Sequence, residues 1–480
     1  MSELVYYIPV FPEILLSISA MLLMMLGVYS NGKTSNNTIG FITIVAFVIS
    51  GLFLLFSSGK QTIIFNNLFI VDGFSDFMKL IILASAIVVI IFNNSYKGCK
   101  ALQKFEFNVL VMFAVVGMFC MVSANDLMSL YLGLELQSLS LYVIASMNRE
   151  STKSTEAGLK YFILGAVASG ILLYGASLIY GFSGATDFNS IAQKVADGKS
   201  VSLGIITGSV LVIIAILFKI SAVPFHMWTP DVYEGVPKTV TAFFATAPKV
   251  AAFALFIRFL LQPFGNIVDQ MQQIIILVSV ASMVVGSFAA IRQTNIKRMM
   301  AYSSIGHVGF MLIGLAVGNQ QGVSALINYL VIYVIMNLGV FACIIIMKRS
   351  NESVESINDL KGLGKSHPLM ALIFTILMLS MAGIPPLAGF LGKFFIFSAA
   401  IKSGLYTLSI IGVITSVVGA FYYIRIIKII YFDELIEELD NDIPKAIKYT
   451  LGLSVLFNLL FFIVPASLLN VANDVTRTLF

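Results

Sequence analysis

Apolar stretches of roughly twenty residues follow one another from Ile8 to Asn470, separated only by short polar interruptions. A helix rising about 1.5 Å per residue needs roughly that length to cross a hydrocarbon core of about 30 Å. The pattern therefore predicts an all-α, polytopic membrane bundle of about fourteen transmembrane helices. The expected spans are 8–29, 39–57, 72–92, 106–123, 126–147, 159–181, 203–225, 238–261, 272–290, 299–317, 323–347, 368–400, 404–431 and 447–470. They leave no soluble domain, so residues 1–480 read as one membrane domain.

Composition agrees, with 59% hydrophobic and 11% charged residues and a mean hydropathy of +0.96. Such a chain cannot present a soluble surface. The N-terminal stretch lacks a basic leading region and a small-residue cleavage pattern, so it reads as a retained first helix rather than a signal peptide. Loops after odd-numbered spans carry about sixteen basic residues, among them Lys97, Lys100, Lys104, Arg149, Arg292, Lys297, Arg298, Lys348 and Arg349, against about five elsewhere. An even span number and this bias predict both termini on the outer face. The net charge of +5 is thus ordinary topology charge, which argues against nucleic acid as a partner. The connector KRSNESVESINDLKGLGKSH reads as a solvated loop, with docking of a partner as its alternative. Cys99, Cys120 and Cys343 stand far apart without neighbouring ligand residues, so no disulfide framework, zinc site or iron–sulfur site is expected.

Against this background a few ionisable residues stand at membrane depth, where insertion costs about 2.5–3.5 kcal/mol each. Glu135 lies near the middle of the fifth span and Lys249 near that of the eighth. Neither reaches the headgroups without distorting the bilayer, so both read as functional. Lys219 in the seventh span and Lys393 in the twelfth are the other two candidates. Lys79, Lys160, Arg258, Arg425 and Lys428 sit nearer span ends, where a long cationic side chain snorkels to the interface.

Two of these lysines neighbour helix breakers. Pro224 follows Lys219, and Pro385 and Pro386, flanked by Gly383 and Gly389, precede Lys393. Proline removes a backbone donor, and open backbone at this depth is tolerated only inside protein or beside water. Paired interruptions in the two halves of a chain point to a transport path. His307 reads as a possible relay or as a hydrogen-bonded packing residue. His226, His307 and His367 show no i, i+4 ligand pairing, so no metal site is expected.

The stretches FKISAVPFHMWTPDVYEGVPKTVTAFFATAPKVAAF, GIPPLAGFLGKFFIF and EAGLKYFILGAVASGILLYGASLIYG resemble the antiporter-like membrane subunits of proton-pumping NADH:quinone oxidoreductase, bacterial respiratory complex I. The likeness runs from the third span to the thirteenth. It implies two inverted five-helix repeats, residues 106–261 and 272–431, with discontinuous seventh and twelfth helices, after three leading helices (1–105) and before a last helix and tail (447–480). It also implies that Glu135, Lys219, Lys249 and Lys393 translocate protons. Lysine rather than glutamate at 393, and the short stretch after the fourteenth span, favour the N type over its sisters.

The implied function is proton transport coupled to reduction of a quinone, such as ubiquinone, performed elsewhere. NADH, FMN, iron–sulfur clusters and quinone would belong to other subunits, with no cofactor or metal in this chain. Other membrane-arm subunits, the lipid bilayer and protons are the expected partners, in a bacterial inner membrane or, alternatively, a mitochondrial one. An ion pair between Glu135 and Lys219 and a central proton-carrying Lys249 are the expected working parts. The rivals are a multisubunit sodium/proton antiporter sharing the fold, and a structural subunit whose buried charges only fix packing.

Overall fold

The computed structural model describes residues 7–29, 36–57, 61–96, 98–197, 202–349, 352–435, 437–440 and 443–480. Lys97 and the Ser350–Asn351 tip of the long connector lie outside them. Twelve helices among the described residues are long and apolar enough to cross a membrane. The first three spans are α1 (Phe11–Tyr29), α2 (Asn36–Leu55) and α3 (Gly73–Ser95). A hairpin of β1 (Thr62–Ile64) and β2 (Phe69–Val71) joins α2 to α3. It was not legible as a pattern, since three residues are too few to show alternation.

Spans four to eight are α4 (Phe105–Val122), α5 (Leu127–Ala145), α6 (Thr152–Ser183) and two interrupted helices. An amphipathic helix the sequence reading had not placed, α7 (Phe188–Asp197), precedes them. The seventh span is α8 (Leu203–Ile220) followed, after an open segment, by α9 (Trp228–Gly235). The eighth is α10 (Lys238–Ala245) and α11 (Ala247–Leu261), parted at Thr246. That second interruption was not anticipated, although Pro248 inside the first turn of α11 is the residue that marks it.

Spans nine to thirteen are α12 (Val268–Ile291), α13 (Ile296–Val317), α14 (Gln320–Ile346), the halves α15 (Pro368–Ala382) and α16 (Ala388–Lys402), and α17 (Tyr406–Phe432). The last span, α18, covers Lys445–Leu460 and is shorter than expected. The chain turns ahead of Pro465 and continues as an amphipathic helix, α19 (Ala466–Arg477), so the expected span to 470 divides there.

The two five-span units repeat each other in detail. Asp126 caps α5 and bridges Asp187; Asn295 caps α13 and bridges Ser356, the same interval further along the chain. Gly117 of α4 and Gly286 of α12 keep that interval too, and a Cβ at either would strike backbone of the neighbouring helix. With five crossings per unit, the second unit traverses the membrane in the opposite sense, which makes the repeats inverted. Their interior is closed: α10, α11, α13 and α14 are almost wholly buried, whereas α2, α6 and α17 turn large apolar side chains outward, as lipid requires.

The first three helices are tied to the repeats by charge. Arg258, in the last turn of α11, is fully buried and grips Asp72 at 2.9 and 3.1 Å. Burial alone would push the Asp72 carboxyl up, but the guanidinium and the Ser75 cap outweigh it and hold the group below the usual carboxylate range. Snorkelling, the expectation for Arg258 and Lys79, does not apply, because both side chains are enclosed.

Candidate functional site

Polar side chains at helical spacing gather inside the bundle around the four expected residues. Lys219 is the penultimate residue of α8, buried, with its ammonium 2.7 Å from Ser138 Oγ and 3.3 Å from the Tyr142 hydroxyl. Both acceptors lie on α5. One turn before Ser138 on that helix is Glu135, half-buried, which accepts a hydrogen bond from Ser169 of α6. No described cation comes within ion-pair distance of Glu135. The expected direct pair is therefore apart in this arrangement: Lys219 is held by Ser138, one helical turn from Glu135, and Glu135 by Ser169 of α6.

Lys249, in the first turn of α11, is enclosed and donates to Ser304 of α13. Ser304 also shares a hydrogen bond of 2.7 Å with the Tyr333 hydroxyl of α14. No carboxylate pairs with Lys249 among the described residues. Ser304 stands in the second repeat where Glu135 stands in the first, nine residues beyond its helix cap in each case. One turn further, His307 Nδ1 lies 2.6 Å from Tyr329 Oη and Nε2 lies 3.1 Å from Tyr423 Oη. Tyr423 in turn bonds Ser303.

Lys393, in α16, points back across the twelfth-span break. Its ammonium donates to the carbonyls of Ala382 at 2.9 Å and Met381 at 3.3 Å, and to Ser416 Oγ at 2.9 Å. The carbonyls are those that the end of α15 leaves open, so a cation sits at the negative end of a half-helix. A cavity of about 10 Å³, bounded by Ser303, His307, Lys393, Ser416 and Tyr423, lies between the histidine and the lysine. That is room for about one water molecule.

The two breaks have matching backbones. Ser221 (φ +68°) ends α8 and Gly383 (φ +84°) ends α15, and cis peptides at Val223–Pro224 and Pro385–Pro386 follow. Their ends are held differently: Phe218 O, which already accepts from Ser221 N at 3.1 Å, also takes the Trp228 indole at 3.0 Å, whereas the open carbonyls of Met381 and Ala382 take Lys393.

All four expected residues and His307 thus lie in the interior, in two groups. Glu135, Ser138 and Lys219 form one; Lys249, Ser304, His307 and Lys393 line the other. No hydrogen bond among the described residues joins the groups; Tyr161, stacked on Trp228 with ring centroids 4.4 Å apart, lies beside the first and also packs on Phe244 of α10. The hydroxyl partners Ser138, Tyr142, Ser169, Ser304, Tyr329, Tyr333, Ser416 and Tyr423 were missed from sequence. The available signal was spacing: Ser138 and His307 each follow by three residues the position that Glu135 and Ser304 share.

Residues 124–419 match the family described as NADH:quinone oxidoreductase/Mrp antiporter, transmembrane. The chain is 52% identical over 475 residues to the NADH-quinone oxidoreductase subunit N of Parvibaculum lavamentivorans, covering 98% of each. It is 48% identical over 477 residues to that of Paramagnetospirillum magneticum, again covering 98% of each. Among solved structures, a chain of respiratory complex I from Thermus thermophilus with bound aureothin superposes with a TM-score of 0.83 at 30% identity, covering 96% of this chain and 99% of that one. A chain of the Mrp complex from Dietzia gives 0.84 at 19% identity, a likeness of fold.

Proposed function

The chain belongs to the family of NADH-quinone oxidoreductase subunit N, and from that premise we propose that its two buried groups form one switchable proton path. Protons cross the inner bacterial membrane through this subunit while NADH oxidation and quinone reduction, with their FMN and iron–sulfur clusters, take place in others of the complex. Other membrane-arm subunits flank it. Residues 106–261 and 272–431 are the two working repeats, with 1–105 and 447–480 packed around them.

The supporting observation is Lys249: a lysine enclosed by protein, without a carboxylate, held by a hydroxyl one turn from His307. A buried cation with no counter-charge is costly, so its proton is easily displaced by a second positive charge. Lys219 supplies that charge. When Glu135 draws Lys219 to itself, the field at Lys249 weakens and Lys249 takes a proton. When the pair opens, as in the arrangement where each rests on its own serine, Lys249 gives its proton up towards His307 and Lys393. The cavity beside Lys393 admits the water that completes the transfer.

The test is Lys249→Met in the intact complex, with NADH oxidation and the proton gradient measured together in membrane vesicles. Loss of gradient per NADH is the expected result, with partial recovery in Lys249→His, whose imidazole still titrates. A full gradient per NADH in the methionine variant would remove Lys249 from the path.

A further inference from the structure

A second group of buried charges lies where the first three helices meet the first repeat, and its count does not balance. Glu13, in the first turn of α1, meets Lys79 of α3 at 2.6 Å, both side chains enclosed. Asp72 and Arg258 form the bidentate pair described above. Two carboxylates are thereby matched with two cations. Asp76 remains: it is 6% exposed, no cation lies within ion-pair distance of it among the described residues, and the Ser57 hydroxyl is its polar neighbour.

Its surroundings offer no third cation among the described residues. Asp72 lies four residues before it and Lys79 three residues after it, both neighbours on one face of α3. Glu13 approaches from α1 and Ser57 from the end of α2, while Arg258 of α11 is taken up by Asp72. Lys79 is flanked by the rings of Phe69 and Phe119, 5.4 and 5.6 Å away, which leave it no room in water. An isolated ionised carboxylate in such a place is far more expensive than a neutral acid. A protonated Asp76 is therefore the cheaper state while Lys79 stays with Glu13, and the proton can leave when Lys79 swings to Asp76.

The position suits a further outlet, distinct from the route through His307 and Lys393. Arg258 lies nine residues beyond Lys249 on α11, about 14 Å along the helix, so the cluster stands between the central lysine and the face where α1 and α3 begin. The same end holds other buried polar atoms without protein partners, Thr62 Oγ1, Ser123 Oγ and Asn125 Oδ1, which are able to bind water.

We propose that Asp76, with Lys79 shared between it and Glu13, is a second proton-exchanging site of this chain, set between Lys249 and the face where α1 and α3 begin. Its use as an outlet rests on the function proposed above; its binding of a proton does not.

The experiment treats the intact complex in native membranes with dicyclohexylcarbodiimide, which reacts with protonated buried carboxyl groups, and locates the N-acylurea adduct by fragment mass spectrometry. Asp76→Asn and Asp76→Glu are compared with the unaltered chain, and the gradient per NADH is measured on each assembled variant. An adduct on Asp76 but not Asp72, retained on the glutamate variant, is expected, with a gradient per NADH at least twofold lower in the asparagine variant and restored by glutamate. Absence of the adduct from both Asp76 and its glutamate replacement overturns proton binding. A full gradient per NADH in assembled Asp76→Asn overturns the outlet. Should Asp76→Asn fail to assemble, the adduct on the unaltered chain and the gradient in Asp76→Glu decide. Because the adduct is read without pumping, it stands or falls whatever Lys249→Met shows.

Discussion

Ser138 is the residue through which Lys219 is held, and the chemistry of that contact decides how the charge can move. A neutral hydroxyl at 2.7 Å binds an ammonium without fixing it as a carboxylate would. Removing it leaves Tyr142 at 3.3 Å as the remaining acceptor and a buried cation short of a partner. Such a loss costs roughly 1–3 kcal/mol. Ser138→Ala should therefore assemble with its gradient per NADH reduced severalfold, and Tyr142→Phe should show a smaller reduction, both read in vesicles. A full gradient in Ser138→Ala would mean that Lys219 works without this serine. The ionisable residues were legible in the sequence because a charge at membrane depth is expensive and so needs a reason. Serine and tyrosine are cheap there and occur throughout the spans, so nothing singled out Ser138, Ser304 or Tyr423 until the helices were packed. Glu135 and Lys219 were expected in contact; the pair distance depends on the relative rotation of α5 and α8, which no residue pattern specifies.

At the level of the element, prolines marked the two breaks, but the residue that turns each helix end was marked in only one. Gly383 is the glycine that a left-handed end invites, whereas Ser221 adopts the same backbone against its preference. The interruption at Thr246 was missed although Pro248, ten residues into the expected span, signals a break there. The breaks differ in what holds them. The indole of Trp228 adds a donor that does not titrate to Phe218 O in the last turn of α8, while Lys393 takes the open carbonyls of α15 with a group that does titrate. Protonation of Lys393 is thereby tied to the negative end of α15, a coupling the first repeat lacks. Lys393→Arg keeps a cation on those carbonyls and removes a proton carrier that can be neutral. It should assemble normally yet lose the gradient, while Lys393→Met should lose the gradient and also assemble in lower yield. Equal yields of the two, measured on native gels, would show that the carbonyls do not need the cation.

Over the whole molecule, charge is sorted by end. Lys160 and Arg298 meet Asp231 at 2.8 Å each, Lys297 meets Glu355 at 2.6 Å, and Lys238 donates to Met347 O at 2.7 Å. These contacts join the beginnings of α6, α10 and α13 to α9 and to the end of α14 and the connector after it, all at the end of the bundle that follows odd-numbered spans. Glu13, Asp72, Asp76 and Arg258 occupy the other end, where α1 and α3 begin and α11 finishes. Lysine and arginine near span ends are retained on the cytoplasmic side during insertion, and their acidic partners count little in that selection. The basic end should then face the cytoplasm and both termini the periplasm. A cysteine placed after Phe480 tests this, with half-buried Cys99, in the connection after α3, as an internal control for the opposite face. In spheroplasts an impermeant maleimide should label the added cysteine at once and Cys99 only after the membrane is opened. The reverse order would invert the orientation, and with it the direction assigned to the path: Lys249 would deliver its proton to the end that gathers Lys160, Lys297 and Arg298, and Asp76 would stand at the inlet instead of the outlet.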